Sequence, residues 1–274
     1  MKISTLIEDH PNEDKSIKYE HGFSCAFNVD DVEYLFDTGL TGAFLDNFPK
    51  LKKDPNNIQK IIISHGHNDH AGGLMKLLNY VSNTPEIYLG RGFFNPKYKI
   101  LLNGEKEYKS CGFTSSDLSE YKIHNINNKV TQLSENMYLF SDFSCTNTFE
   151  TIPPKYVIEK DGKIVQDKFE EEISVGIKTD KGLVLIVGCS HIGIVNIIES
   201  VKKYSGMNIR GVIGGTHLIN CSQERLDRTI EYLKKQDLDF LAVSHCTGDE
   251  NMDVLKENFK EKFILNNSGN IIDI

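Results

Sequence analysis

Apolar residues fall along the chain in two rhythms. Short runs bounded by turn residues predict strands over 2–7, 23–29, 33–36, 59–64, 86–89, 137–140, 173–178, 183–187, 209–213, 240–243 and 263–265. Between the later runs the spacing changes to three and four. Leu74, Leu77 and Leu78 mark a helix over 72–81, and Ile194, Ile197, Ile198 and Val201 mark one over 192–204. Leu226, Ile230 and Leu233 mark a third over 222–235, opened by Ser222, and a shorter one covers 252–259. Asp30-Asp31, Asp180-Lys181-Gly182 and the turn around Asp161-Gly162 read as hairpins. The first third is strand-rich and the remainder alternates strand with helix, which predicts an α/β domain of two sheets with helices outside. One domain over 1–274 is expected. The polar, Lys-rich stretch 91–128, with Phe93, Phe94, Tyr98, Tyr108 and Phe113, reads as an insertion or lid.

Composition narrows this only a little. The 274 residues, 39% hydrophobic and 26% charged, are those of a folded chain, and the length supports a sizeable core. Thirty-one basic against 39 acidic residues give a net charge of −8, which argues against a general nucleic-acid binder. No run approaches the ~18 apolar residues of a membrane span, and the N-terminus turns acidic at Glu8-Asp9, too soon for a signal peptide. A soluble, cytoplasmic protein is the expectation. The six cysteines are irregularly spaced and contain no Cys-x-x-Cys pair, so no disulfide framework is expected.

The nine histidines change the picture. The apolar run 61–63 and Ser64 end directly in His65-Gly66-His67-Asn68-Asp69-His70, and a helix follows. In an extended segment His65 and His67 point the same way, and Asp69 and His70 fall one turn on, at a helix N-terminus that favours a carboxylate. Four ligand-type side chains in six residues suit a pair of cations of the zinc, iron or manganese type. Three later strands end in Cys189-Ser190-His191, Thr216-His217 and Ser244-His245. Each therefore places a histidine just past a strand's C-terminal end, where open α/β sheets bind ligands. His10 and His124 read as surface residues, while His21, just before a strand, is placed to line a site.

Together with Phe36-Asp37-Thr38-Gly39, these motifs resemble the metallo-β-lactamase-fold hydrolase superfamily over nearly the whole chain. The segments Glu20-His21-Gly22, Gly188–Asn196, Gly214–Leu218 and 245–248 are similar to a narrower group. It includes the archaeal 7,8-dihydropterin-6-methyl-4-(β-D-ribofuranosyl)aminobenzene 5′-phosphate synthase. The resemblance implies a four-layer αββα sandwich with a two-metal site at one edge. It implies His65 and His67 on the first metal, Asp69, His70 and His245 on the second, and Asp37 bracing the ligand loop by hydrogen bonds. Cys189 stands where the superfamily has its bridging residue. The family's further histidine upstream of that position is missing, since His124 alone lies between His70 and Cys189. His191 stands in its place, and Cys189, His191 or both are the ligands. Zinc is the first choice of metal, with iron and manganese as alternatives.

The activity implied is a dinuclear, metal-dependent hydrolase acting on a small molecule, phosphorylated ones included, through a metal-activated hydroxide. Asp69 would orient the hydroxide and His217 would protonate the leaving group. The alternative is a transferase-type synthase joining a pterin to an aminobenzene riboside phosphate. The lysines and aromatics of 91–128 fit an anionic substrate with a ring. A redox diiron centre is disfavoured because His67 stands where that branch carries Glu and the chain has no room for a flavin domain. A non-catalytic binding role is disfavoured by the intact ligand set.

Overall fold

Strand alternation resolves into two seven-stranded mixed sheets whose inner faces pack on each other. The computed structural model describes residues 1–13 and 15–274. In spatial order the first sheet runs Ile271–Asp273, Lys2–Ile7, Ser24–Val29, Val32–Phe36, Lys60–Ile62, Glu86–Gly90 and Ile123–Ile126. The second runs Phe263–Leu265, Phe240–Ser244, Ile209–Gly215, Gly182–Val187, Ser174–Thr179, Met137–Phe140 and Val130–Gln132. Each sheet is half antiparallel and half parallel. The change comes after Val32–Phe36 in the first sheet and after Gly182–Val187 in the second.

The period of two sorts the side chains into layers. Tyr34, Phe36 and Ile62 face Val175, Ile177, Val184 and Ile186 in the central core. Their neighbours Leu35, Ile61 and Ile63 turn outward to meet Leu74, Leu77 and Phe44. On the other side Leu183, Leu185 and Val187 turn outward to the helices Ile194–Ser205, Gln223–Lys234 and Asp249–Phe259. The result is helix, sheet, sheet, helix, as the sequence predicts. No helix among the described residues is long and apolar enough to cross a membrane.

Of a third, four-stranded antiparallel sheet the sequence reading holds only the hairpin turn at Asp161-Gly162 and none of the strands. This sheet consists of Lys163–Gln166, Tyr156–Lys160, Lys97–Ile100 and Lys106–Tyr108. Its strands are short, and Lys163–Gln166 is exposed throughout, so no buried face writes a period of two into the sequence. The 91–128 stretch is thereby divided. Two of its strands enter this third sheet, and Ile123–Ile126 completes the edge of the first. The third sheet is tied to the histidine-rich loop. The Asn68 amide donates to the Lys109 carbonyl at 2.8 Å, and His67 bridges to Ser110. Behind the loop the buried Lys97 ammonium meets Glu171 at 2.8 Å.

Helix Ile194–Ser205 begins without a capping side chain of its own. Glu150, from a distant segment, supplies the missing acceptor. Its two carboxylate oxygens take the amides of Val195 and Asn196 at 2.9 and 2.8 Å. This anchors the helix that follows His191.

Candidate metal centre

The site forms where the C-terminal ends of the parallel strands of both sheets meet. The first sheet delivers Asp37 after Val32–Phe36 and residues 65–70 after Lys60–Ile62. The second delivers Cys189 and His191 after Gly182–Val187, His217 after Ile209–Gly215 and His245 after Phe240–Ser244. The two sheets approach so closely here that a Cβ at Gly188 would lie 2.2 Å from the Ser64 hydroxyl.

Asp37 organises the first half. It is fully buried, and its carboxylate accepts the Ser64 amide, the Ser64 hydroxyl and His70 Nδ1, each at 2.7 Å. Because the Ser64 proton points at Asp37, Ser64 Oγ is left to accept from His65 Nδ1 at 2.9 Å. Both histidines therefore carry their proton on Nδ1 and present a bare Nε2 to the cleft. Asp9 does the same for the second half, accepting from His245 Nδ1 at 2.7 Å. The backbone of His245 is held by Glu8 Oε1, which accepts its amide at 2.6 Å.

These bare nitrogens point at each other. His70 Nε2 lies 3.2 Å from His245 Nε2 and 3.1 Å from Cys189 Sγ, and His245 Nε2 lies 3.4 Å from Asp69 Oδ2. Asp69, His70, Cys189 and His245 thus form one compact donor group. His65, Cys189 and His191 form a second, with His65 Nε2 and His191 Nε2 3.2 Å apart. Cys189 belongs to both. Two imidazole lone pairs repel at this separation unless positive charge lies between them. Burial opposes charging His245, yet hydrogen bonds to Asp69 and Asp9 hold its pKa well above the usual histidine value. The pocket favours a cation at that nitrogen. Nitrogen, sulfur and carboxylate oxygen from rigid strand ends fit a borderline-soft divalent metal, so the residues present suit the group that the fold implies.

His67 stands somewhat apart. It is buried, with its ring centre 4.7 Å from that of His65 and 4.8 Å from that of His191, but its nitrogens lie outside both compact groups. Burial lowers its pKa to about 3, which leaves a neutral imidazole with a free lone pair. His217 sits beside His191, their ring centres 4.3 Å apart, and groups with Cys189 and Cys246. His191 itself stacks on Phe169 at 3.8 Å, and its amide is held by the buried Glu172 at 2.9 Å. Burial pushes the Glu172 carboxyl up to about 8.

Asp9 is the residue that sequence reasoning missed. The Glu8-Asp9 pair reads as a polar end to a strand, and only the tertiary fold brings it to His245. Asp9 also accepts from His21 Nδ1 at 2.9 Å, while His21 Nε2 reaches Asp69 Oδ2 at 3.3 Å. His21 thus spans the two carboxylates at the cleft mouth, and hydrogen bonds to Asp69 and Asp9 raise its pKa to about 9. His124 is remote from the cleft, stacked on Tyr88 and bonded to Glu86. The cleft, about 260 Å³, is lined by Tyr156 together with the metal-type donors His67, Asp69, Cys189, His191 and His245.

His10 provides a pH test close by. The Glu8 carboxylate, 3.5 Å from its Nδ1, with help from Asp249, raises its pKa from 6.5 to about 9. The folded chain therefore favours protonated His10. Its stabilising contribution is full below pH 6.5 and is lost as the pH rises through about 9. The ring is partly exposed, so the effect is small. The melting-temperature margin of wild type over His10→Asn should shrink across that window, and a margin that stayed constant would contradict the assignment.

Residues 27–98 match the family model described as the Metallo-beta-lactamase superfamily. The 7,8-dihydropterin-6-methyl-4-(beta-D-ribofuranosyl)-aminobenzene-5'-phosphate synthase of Methanocaldococcus jannaschii is 32% identical over 288 residues, spanning 99% of this chain and 96% of that protein. Among solved structures, Tm1679, a metal-dependent hydrolase of the beta-lactamase superfamily, aligns over 100% of this chain and 99% of its own, with a TM-score of 0.86 and 29% identity. Zn(2+)-bound PqqB from Methylobacterium extorquens aligns over the full length of both chains with a TM-score of 0.62, at 11% identity a likeness of fold alone.

Proposed function

The chain belongs to the metallo-beta-lactamase superfamily, and from that premise we propose that it is a dinuclear metal-dependent hydrolase of a small, anionic molecule. The observation that carries this reading is the convergence of the Nε2 atoms of His65, His70 and His245 on one cleft, each with its other ring nitrogen engaged by a serine or carboxylate oxygen. Asp69, His70 and His245 would hold one divalent cation and His65, His67 and His191 the other. Cys189 lies between them, and zinc is the best match to this donor set. When bound, such cations polarise a carbonyl or phosphoryl oxygen and make water a competent nucleophile near neutral pH.

The chain's own residues do the rest. Asp69 Oδ2, 3.4 Å from His245 Nε2, would orient the attacking water and take its proton. His217, beside His191 with its Nδ1 unpartnered, would return a proton to the leaving group. Asp37 and Asp9 engage the Nδ1 side of His70 and His245, which turns Nε2 toward the cleft, and Tyr156 contributes to the lining. With a net charge of −8, a small molecule in the cytoplasm is the proposed setting.

A second reading has its own support. The synthase from Methanocaldococcus jannaschii is similar over essentially the whole chain, so joining a pterin to an aminobenzene riboside phosphate is a reaction this cleft is proposed to run instead. One experiment addresses both. Purified protein is analysed for metal, then assayed with phosphodiesters, lactones and the pterin plus aminobenzene riboside phosphate pair. About two equivalents of metal and hydrolysis of one substrate class, abolished by a chelator and in His65→Ala, are expected. A condensation product without hydrolysis would favour the synthase. Full turnover after metal removal would reject both.

A further inference from the structure

The cleft holds an arginine that neither reading uses. Arg225 opens the helix Gln223–Lys234, lines the same cleft as the metal-type donors, and is only 6% exposed. A buried guanidinium normally spends its five N–H groups on carboxylates or carbonyls. Here Nη1 makes a single long contact, 3.5 Å, to the Thr151 carbonyl, and Nε and Nη2 have no acceptor. Among the described residues no carboxylate lies within 4.0 Å of it. Glu150, the next residue along from Thr151, directs its oxygens to the Val195 and Asn196 amides instead. The Nε–Nη2 edge is the face with which arginine grips an oxyanion in bidentate fashion.

The surroundings point to the same ligand. The third sheet and the segment leading into it bring Lys99, Lys109 and Lys155 to the cleft lining. Lys109 is paired with Glu107, whereas Lys99 and Lys155 form no ion pair among the described residues. The two carboxylates that line the cleft, Asp9 and Asp69, are both engaged by His21 and His245 on the metal side. The lining is therefore cationic away from the metal centre, and Tyr156, with Lys155 Nζ 5.4 Å from its ring centre, supplies an apolar face.

We propose that Arg225, assisted by Lys155 and Lys99, forms an oxyanion subsite that anchors a phosphate group of the substrate while its reacting bond lies at the metal centre. This rests on the cleft being the active site, and deepens that reading by naming phosphorylated small molecules as the substrate class. A phosphate dianion matches the number of cationic groups better than a carboxylate does. The subsite is a recognition element and takes no part in bond making.

The test is calorimetric titration of the purified protein with phenylphosphonate, a phosphate mimic with no hydrolysable ester, and with benzoate as the carboxylate arm. Wild type should bind phenylphosphonate saturably and benzoate at least about tenfold more weakly. Arg225→Gln should weaken phenylphosphonate about tenfold or more, with partial recovery in Arg225→Lys. Lys155→Met, at an exposed position, should weaken it about threefold. His65→Ala, which damages the metal centre and not the subsite, should bind phenylphosphonate within about threefold of wild type. Unchanged affinity in Arg225→Gln, or in Lys155→Met if the arginine variant fails to fold, would overturn the proposal. So would loss of binding in His65→Ala, which would put the phosphonate on the metals, or equal affinity for benzoate. A protein that binds phenylphosphonate through Arg225 but holds no metal would sink the proposed function and leave the subsite standing.

Discussion

Asp37→Ala is expected to strip the protein of metal and to lower its stability by about 3–5 kcal/mol, the usual consequence of removing one partner from a buried charged network. The side chain touches nothing that a substrate would touch. It is fully buried, and it accepts three hydrogen bonds at 2.7 Å from Ser64 and His70. Without it the Ser64 hydroxyl is free to turn toward His65, and His70 loses the acceptor that keeps its proton on Nδ1. Each buried donor left without a partner costs about 1–3 kcal/mol. The metal effect follows from the tautomers, since a histidine that carries its proton on Nε2 has no lone pair to offer there. A loss of about 10–100-fold in metal affinity is the usual scale for such a bracing residue. Elemental analysis after dialysis and a thermal melt of the dialysed protein read the two effects separately. Asp37→Asn, which keeps the shape, should lose less stability than Asp37→Ala but still lose metal. A fully metallated Asp37→Ala would show that the tautomer argument is wrong.

Gly22→Ala should be nearly as damaging, for reasons of backbone alone. Gly22 has φ +133°, a conformation that side chains rarely allow, and a Cβ built there would lie 2.2 Å from the Asp69 carbonyl oxygen. The same carbonyl accepts the Phe23 amide at 3.2 Å, and the Gly22 amide donates to Asp9 at 3.0 Å. One methyl group therefore pushes on the Asp69 backbone and on the carboxylate that orients His245. Strain and displacement together should cost about 2–4 kcal/mol. Activity should fall further than stability does, because a shift of about 1 Å in catalytic geometry can cost ~100-fold. Parallel measurements of melting temperature and turnover decide this. An alanine variant that kept full turnover would mean the Asp69 loop is not held where the site needs it.

Much of this was legible before the fold was known, and the reasons are physical. The inner strands of the two main sheets are buried on one or both faces, so burial writes their pattern into the sequence, as at Tyr34, Leu35 and Phe36. The short, partly exposed edge strands Ile123–Ile126, Val130–Gln132 and Ile271–Asp273 carry no such pattern and go unpredicted. The histidine cluster of residues 65–70 is local in sequence, and the three later histidines each follow a readable strand. What stayed hidden lacks a local signature. The strands of the third sheet are short and partly exposed, with Lys163–Gln166 exposed at every position. Asp9 owes its role to His245, 236 residues away, and nothing in Glu8-Asp9 marks that partnership. Arg225 reads as one more polar residue in the first turn of an amphipathic helix. Its meaning comes from the acceptors that the tertiary structure withholds.

The donor groups draw on both main sheets, and this has a thermodynamic consequence. Asp69 and His70 hang from one half of the molecule, and Cys189, His191 and His245 from the other. A cation gripped by both acts as a rivet across the sandwich, and it can be held tightly only while the halves are seated on one another. Metal occupancy and the docking of the halves are then two readings of one equilibrium. Any change that loosens the central apolar seam, however far from the histidines, would register first as a weaker hold on metal.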